Sequence, residues 1–180
     1  MRYNETGMGT FDREFRRTLG QFASGVTVVT TVDAAGQPQG LTASSFCSVS
    51  LDPPLVLVCV DNRLGARRAI EDSRLFALSV LAESQESISR RFASGGADKF
   101  AGPGLVPGTN GAALVAGALA HIECRLAAAH VAGDHTIFVG EVVRLEATPG
   151  RPLLYYESGY HRLEASNPSP VAGAPVRDRV

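Results

Sequence analysis

The chain has 180 residues, which suits one domain or one domain with a tail, and 44% of them are hydrophobic, as in ordinary globular proteins. A formal net charge of −1 argues against a role on nucleic acid or on an anionic membrane. The cysteines Cys47, Cys59 and Cys124 form no Cys-x-x-Cys pair, which argues against a disulfide scaffold or structural zinc and favours a reducing compartment. With no signal-peptide core and no apolar run of membrane-spanning length, the sequence predicts a cytoplasmic protein without a membrane segment.

The beginning of the chain predicts one helix and a β-hairpin. Residues 1–10 are expected to be flexible, and Phe11–Phe22 places apolar side chains at helical spacing. The β-branched run Val26–Val32 predicts a strand. The turn-forming residues of Asp33–Gly40 predict that the next strand returns antiparallel.

The strand after this turn has an unusual composition. Gly40–Ser50, "GLTASSFCSVS", is predicted to be one extended segment crowded with small hydroxyl side chains. The apolar strand Pro54–Val60 follows it. Such a hydroxyl-rich run is either an exposed sheet edge or a surface that faces something polar held by the protein, and the residues alone leave both interpretations open.

The middle of the chain predicts two short helices around a strand. Asn62–Ser73 is expected to be helical, and Leu75–Leu81 to be a strand. A second helix is expected to run from an N-cap at Ser84 to about Ala93. Ala101–Ala113 is so rich in glycine and proline that it predicts an irregular surface loop.

The last part of the chain predicts two long strands and a short pair, before a disordered tail at residues 165–180. The long strands are Ala118–Val131 and Thr136–Leu145, and the short ones are Leu153–Tyr156 and Tyr160–Leu163.

Six or more strands with two or three short helices predict a mostly β domain over residues 11–164, built as an antiparallel barrel. The motifs of several enzyme classes are missing from it. The string "GPGLVPG" (Gly102–Gly108) is one residue too long for a dinucleotide-binding loop, and no serine fits a nucleophile elbow. His130 and His135 do not have the spacing of helical metal ligands, so we predict no metal site.

Four strings resemble one known family, the short-chain flavin reductases. They are "FASGVTVVTT" (Phe22–Thr31), "GLTASSFCSVSLDPPLVLV" (Gly40–Val58), "GDHTIFVGEV" (Gly133–Val142) and "PLLYYESGYHRL" (Pro152–Leu163). Members of this family are the NAD(P)H-dependent reductase components that supply reduced flavin to two-component monooxygenases. The resemblance extends, in order and spacing, over about residues 11–163.

The resemblance implies a fold, cofactors and partners. Family members have a split β-barrel of the FMN-binding type, bind FMN or FAD, and usually form homodimers with the flavin near the subunit interface. We therefore expect FMN or FAD, NADH or NADPH, a homodimer, and a flavin-dependent monooxygenase that receives diffusing reduced flavin.

The same resemblance implies the residues that line the flavin. A strand of small residues would let its backbone and hydroxyls approach the polar edge of the isoalloxazine ring. The segment after the third strand would hold the phosphate, but it lacks the family's hydroxyl residues, so arginines either substitute for them or are solvated helix residues. The expected flavin-binding residues are Gly40, Leu41, Thr42, Ala43, Ser44, Ser45, Asn62, Arg63, Leu64, Gly65, Ala66, Arg68 and Phe92.

His135 follows a Gly-Asp turn and opens an apolar strand, a position typical of a capping or surface residue. The family's Gly-Asp-His motif places the matching histidine at the nicotinamide, so the resemblance implies that His135 orients NAD(P)H. Tyr156 and Tyr160 either help to close that site or are ordinary barrel aromatics. No catalytic acid or base is expected, because the two cofactors carry the hydride transfer.

Two other functions are compatible with the same sequence. One is a flavin-binding split-barrel protein without reductase activity. The other is a flavin-linked reductase of a different acceptor, such as a corrinoid or iron.

Overall fold

The computed structural model describes residues 5–95 and 97–164, and strands account for most of the regular structure in them. The tail expected at 165–180 and the first four residues of the expected flexible N-terminus lie outside the described residues. No helix in the described part has both the length and the apolar character needed to cross a membrane. The helices are α1 (Glu5–Leu19), α2 (Gly65–Ser73) and α3 (Glu86–Ala93), with 3-10 turns at Glu83–Gln85 and Ala97–Phe100. The strands are β1 (Ser24–Gly25), β2 (Thr27–Val32), β3 (Pro38–Ala43), β4 (Cys47–Leu51), β5 (Pro54–Asp61), β6 (Leu75–Val80), β7 (Leu105–Pro107), β8 (Ala113–Val115), β9 (Ala120–Ala132), β10 (His135–Ala147), β11 (Leu154–Tyr156) and β12 (Gly159–His161).

Seven strands form one antiparallel sheet in the order β3-β2-β6-β9-β10-β5-β4. Its edge strands β3 and β4 are consecutive in the chain and joined only by residues 44–46, so the sheet curls until its two edges meet. The Ser45 hydroxyl fastens this junction, because it donates to the Cys59 carbonyl at 3.1 Å and accepts from the Cys59 N–H at 3.0 Å. The predicted fold class, a mostly β antiparallel barrel, is confirmed.

The barrel interior is filled by the alternating side chains that its strands predict. On β5, Val56, Val58 and Val60 point inward, and they pack in one cluster with Phe76 and Phe138. Each of these valine and phenylalanine side chains is nearly or fully removed from water. Burial on this scale stabilises the fold by about 1.5–3 kcal/mol for each large side chain.

The hydroxyl-rich segment is not one strand, as predicted, but two. β3 ends at Ala43 and β4 begins at Cys47, because the chain must pass from one edge of the barrel to the other. The predicted Ser84 N-cap is also wrong, since a 3-10 turn precedes α3. There the Gln85 side chain accepts a hydrogen bond from the Ala82 N–H at 2.9 Å and takes the place of a cap.

The loop predicted over Ala101–Ala113 contains a short ordered ribbon. β7 pairs with β8, and strands of three residues are too short to show an alternating pattern in the sequence. The buried carboxylate of Glu123 holds the turn between them. It accepts hydrogen bonds from the Thr109 hydroxyl at 2.9 Å and from the Asn110 N–H at 2.6 Å.

Helix α1 begins at Glu5 rather than at Phe11, because the apolar spacing used for the prediction starts only at Phe11. It ends at Leu19, where Gly20 follows, a residue type that favours helix ends. A small sheet in the order β1-β11-β12 carries the C-terminal hairpin back towards this helix end. The Glu157 N–H donates to the Gly20 carbonyl at 2.9 Å and ties the two together.

Candidate functional site

A cavity of about 580 Å³ opens beside the first half of β3. Its walls are β3 itself, the start of α2, and the 3-10 turn that carries Lys99 and Phe100. We call it the cationic cavity. Five of the predicted flavin residues line it: Gly40, Arg63, Leu64, Gly65 and Ala66.

The start of α2 gives this cavity the properties of an anion site. Leu64 occupies the N-cap position with no side-chain cap, and the first turn of the helix contains no acidic residue. The first N–H groups of a helix lack partners inside the helix, and the helix dipole places partial positive charge there. Because Leu64, Gly65 and Ala66 all line the cavity, the helix start suits a phosphate group.

Arg63 lines the cavity but is already paired. Its Nη2 lies 2.6 Å from Asp61 Oδ2, and its Nε donates to Asp61 Oδ1 at 3.0 Å. The hydrogen bonds from Arg63 hold the pKa of Asp61 well below its usual range, and the same pair raises the pKa of Arg63. A guanidinium that a carboxylate already neutralises contributes little to binding a phosphate.

Lys99 is the residue that the sequence reasoning missed. It is the single lysine among 17 basic residues, which is the one signal that could have drawn attention to it. Its Nζ donates to the Phe92 carbonyl at 3.1 Å and to the Gly40 carbonyl at 3.4 Å, and burial lowers its pKa. Both partners are backbone carbonyls, and no carboxylate among the side chains that the structure describes pairs with Lys99. Its positive charge is therefore available to a bound anion.

Gly40 and Phe92 shape this cavity from beneath. A Cβ atom on Gly40 would lie 2.9 Å from the Val29 carbonyl oxygen and 3.0 Å from both the Phe92 and Phe100 rings. Those two rings form an edge-to-face pair with centroids 5.2 Å apart, and Phe92 is buried. Phe92 therefore supports the cavity and does not appear in its lining.

The second half of β3 borders a different cavity, of about 200 Å³, which we call the tyrosine cavity. The Thr42 hydroxyl does not point freely into it, because it donates to the Ser89 carbonyl at 2.6 Å. Leu41 is buried in the barrel core, and the Ser45 hydroxyl is used at the barrel junction. The residues lining the tyrosine cavity are Val26, Thr42, Ala43, Ser44, Ala93, Tyr155 and Tyr160.

The backbone of β3 remains open to a ligand. β3 is an edge strand whose sheet partner is β2, so alternate N–H and C=O groups point away from the sheet. Each of the two interpretations of the hydroxyl-rich segment therefore holds for part of it. The hydroxyls of Thr42 and Ser45 serve the fold, while the strand backbone and the exposed Ser44 face outward.

His135 lies at the start of β10, opposite Asp61 of β5. Its Nδ1 is 2.7 Å from Asp134 Oδ1, and this hydrogen bond lowers the pKa of Asp134. Asn62 fixes the turn, because its N–H donates to the Asp134 carbonyl at 2.9 Å and its Oδ1 accepts from the Thr136 hydroxyl at 2.6 Å. Asn62 therefore holds the turn that leads into His135, which we call the histidine turn. It directly precedes Arg63, which lines the cationic cavity.

The remaining predicted residues lie elsewhere. Arg68 lines a separate, neighbouring cavity and pairs with Asp72 at 3.6 Å, so the structure does not bring it to the cationic cavity. Tyr160 lines the tyrosine cavity, and Tyr156 lines an adjoining cavity under α1. Neither of these two cavities includes His135 in its lining, so neither brings His135 together with Tyr156 or Tyr160.

The two cavities together fit a flavin mononucleotide unit. Lys99 and the start of α2 match the charge of a phosphate, and the open edge of β3 offers backbone donors and acceptors to a polar ring edge. From Gly40 to Ala43, where β3 ends, the strand advances about 10 Å, at 3.2–3.4 Å for each residue, so it can connect a phosphate site to a ring site.

The chain is similar to known proteins along most of its length. The family model described as "Flavin reductase like domain" matches residues 19–164. The chain is 44% identical to a flavin-dependent monooxygenase, reductase subunit HsaB, from Rhodococcus jostii, over 92% of this chain and 84% of that protein. The crystal structure of a nitrilotriacetate monooxygenase component B homologue from Mycobacterium thermoresistibile is 41% identical, with a TM-score of 0.85 over 95% of both chains.

A further solved structure is similar along most of the chain. It is the Streptomyces globisporus NADH:FAD oxidoreductase SgcE6 in complex with NAD and FAD fragments, which is 40% identical. Its TM-score is 0.83, over 88% of this chain and 96% of that one. On the family match and these identities, the chain belongs to the flavin reductase-like family, with its split-barrel fold.

Proposed function

We propose that this protein is an NAD(P)H-dependent flavin reductase that transfers hydride from nicotinamide to FMN or FAD and supplies reduced flavin to a partner monooxygenase. The observation that carries the proposal is that β3 borders both cavities, the cationic cavity at Gly40 and the tyrosine cavity at Thr42 and Ala43. Relatives named as NADH-dependent flavin reductases and as reductase subunits of monooxygenases support it.

The phosphate of the flavin binds in the cationic cavity in this proposal. Lys99 and the first N–H groups of α2 hold it, with Arg63 in a secondary role because Asp61 neutralises it. The ring edge follows the backbone from Leu41 to Ser45, as the family resemblance implies. Phe92 acts from below, by keeping Phe100 and Gly40 in place.

A flavin held in this site would supply the atom that accepts hydride from the nicotinamide, so the chain itself needs no acid–base pair. The protein's contribution is to fix the reacting rings and to exclude other geometries. Backbone N–H groups on the open edge of β3 lie where they can donate to the ring edge that gains negative charge. This agrees with the absence of a triad-like constellation among the residues proposed for the site.

His135 orients the nicotinamide in this proposal. Its Nδ1 is engaged by Asp134, which leaves Nε2 as the ring nitrogen directed towards a ligand. A hydrogen bond from one ring nitrogen to a carboxylate fixes both the tautomer and the ring plane. Tyr156 and Tyr160 are proposed to close the nicotinamide site from a second copy of the chain, since the cavities they line do not include His135.

We also propose that the protein is a homodimer and works in the cytoplasm. The outer face of α1 and the turn after it expose Phe11, Phe15, Leu19 and Phe22, each by more than half of its surface. Exposed apolar side chains grouped in this way mark contact surfaces, and a second copy would bury them. Light scattering on the purified protein tests the dimer, and a monomer at micromolar concentration would contradict it. The free thiol of the exposed Cys47 supports a reducing compartment.

The decisive experiment is steady-state oxidation of NADH and of NADPH, each with FMN and with FAD. A reductase consumes the nicotinamide only when flavin is added, and this loss of absorbance is the expected result. Flavin binding without consumption of either nicotinamide would favour the non-catalytic carrier. Consumption that requires a corrinoid or ferric acceptor instead of flavin turnover would favour the other alternative.

A further inference from the structure

Ser89 of α3 is a junction between the proposed flavin strand and the C-terminal hairpin. Its backbone carbonyl accepts the hydrogen bond from the Thr42 hydroxyl at 2.6 Å, and its own Oγ lies 2.7 Å from the Tyr160 hydroxyl. Ser89 is fully buried. One residue thus connects two walls of the tyrosine cavity, β3 on one side and β12 on the other.

The ring of Tyr160 is fixed by more than this hydrogen bond. The Arg90 guanidinium lies 4.8 Å from the centroid of its ring, and Arg90 is itself paired with Glu86 at 2.7 Å. Tyr155 meets the same ring edge-to-face, with centroids 5.4 Å apart. A half-buried aromatic with contacts on this many sides has little rotational freedom, so it can serve as a rigid wall.

We propose that Thr42, Ser89 and Tyr160 are positioning residues for flavin binding. We call them the Thr42–Ser89–Tyr160 chain. Their hydrogen bonds set the distance between the β3 backbone and the Tyr160 ring, and so they preorganise the tyrosine cavity for the flavin ring. This inference rests on the proposed function, and it assigns the Thr42 hydroxyl to the protein rather than to the flavin.

Preorganisation is the physical reason for such a chain. β3 is an edge strand with one sheet partner, so its end at Ala43 needs an anchor on the side away from β2. A ligand that must first order its site loses affinity by the cost of that ordering. Hydrogen bonds among buried groups are stronger than those in water, so a buried serine provides a suitable anchor.

A double-mutant cycle on flavin affinity distinguishes positioning from direct contact. The variants are Thr42→Val, Tyr160→Phe and the double variant, and the measurement is quenching of FMN and FAD fluorescence. Each single variant is expected to raise the flavin Kd about fivefold, as for the loss of one hydrogen bond. The flavin Kd of the double variant is expected to stay about fivefold above that of the wild type. Breaking either hydrogen bond already uncouples β3 from Tyr160, so the second substitution adds little.

A control separates this effect from general destabilisation. Ser79 is also fully buried, and its hydroxyl accepts the Val115 N–H at 3.0 Å, away from the tyrosine cavity. Ser79→Ala is expected to lower the free energy of unfolding in urea while leaving the flavin Kd unchanged. The urea transitions of all variants also establish that each is folded in the binding assay.

Three results would overturn the inference. The first is a flavin Kd within about twofold of wild type in both single variants. The second is a flavin Kd about 25-fold above wild type in the double variant, the product of the single effects. The third is a Ser79→Ala variant whose flavin Kd rises as much as that of the single variants. In each case the wild-type protein would still bind and reduce flavin. A wild-type protein that binds neither flavin would instead remove the proposed function together with the inference.

Discussion

The two ends of β3 differ in the way they prepare the protein for a ligand. At Gly40 the strand opens into a cavity where an amine and an uncapped helix start supply positive charge. At Thr42–Ser44 it borders a smaller cavity walled by tyrosines, where the hydroxyls of Thr42 and Tyr160 already form hydrogen bonds inside the protein. The first end can bind an anion through positive charge, and the second can bind a ring through the shape of the tyrosine cavity.

Composition alone does not show which part of a strand is available to a ligand. The hydroxyl-rich end of the strand drew attention in the sequence, yet Thr42 and Ser45 donate to the backbone of Ser89 and Cys59. The cationic end has an ordinary composition, but Lys99 arrives there from a turn far along the chain. Affinity for flavin is therefore expected to depend most on the cationic end.

Replacement of Lys99 is expected to have the largest effect. Lys99→Met removes a charge-assisted contact of about 2 kcal/mol, so the Kd for FMN and for FAD should rise about 30-fold, measured by fluorescence quenching. The matched control is Arg125→Met, which removes a cation paired with Glu141 on another part of the sheet. Equal affinities in the Lys99 variant and the wild type would place the phosphate elsewhere.

Gly40 tests whether the cationic cavity depends on the aromatic pair beneath it. Gly40→Ala forces a Cβ atom against the Val29 carbonyl and the rings of Phe92 and Phe100, so it should lower the free energy of unfolding by about 1–3 kcal/mol. Urea denaturation measures this loss. Gly25→Ala is the control, because nothing lies within 4 Å of its added Cβ. Equal losses of unfolding free energy in Gly40→Ala and Gly25→Ala would show that crowding around Gly40 does not destabilise the protein.

The parts of the molecule that the sequence predicted well are those coded by neighbouring residues. The β-branched run at Val26–Val32 and the apolar run at Pro54–Val60 predict their strands because alternation and turn residues are local signals. Lys99 could not be placed in this way, since its cavity joins three segments that are distant in sequence. The role of the Thr42 hydroxyl could not be predicted either, because it depends on Ser89, 47 residues away.

Replacement of His135 tests whether the histidine turn contributes to nicotinamide binding rather than to flavin binding. His135→Ala should raise the KM for NADH about fivefold, as for one lost hydrogen bond, with little change in flavin Kd. Asn62 holds the same turn through the Asp134 carbonyl and the Thr136 hydroxyl, so Asn62→Ala should move KM in the same direction. Loss of turnover in the His135 variant with unchanged NADH binding would mean that the histidine takes part in the chemistry itself.

The pH dependence of flavin affinity gives a finer test of the cationic end. Burial lowers the pKa of Lys99 from its usual 10.5, so the amine loses its proton earlier than an exposed lysine does as the pH rises. Flavin affinity should therefore fall as the pH rises from neutral towards about 10, while Lys99→Arg should keep its affinity because a guanidinium stays protonated there. Titration of the flavin is common to both proteins and cancels in their ratio. If the pH profiles of flavin affinity were parallel in the wild type and in Lys99→Arg, Lys99 would not bind the phosphate.

The smallest expected effects compare two arginines that the sequence could not tell apart. Arg63 lines the cationic cavity but is neutralised by Asp61, whereas Arg68 lines the neighbouring cavity and faces Asp72. Arg63→Met should therefore raise the flavin Kd by only about twofold, since an exposed ion pair contributes under about 1 kcal/mol and little of its charge reaches the phosphate. Arg68→Met should not change it. If instead Arg68→Met weakened flavin more than Lys99→Met, the phosphate would lie on the Asp72 side of α2, and the cationic cavity would have to bind a different group.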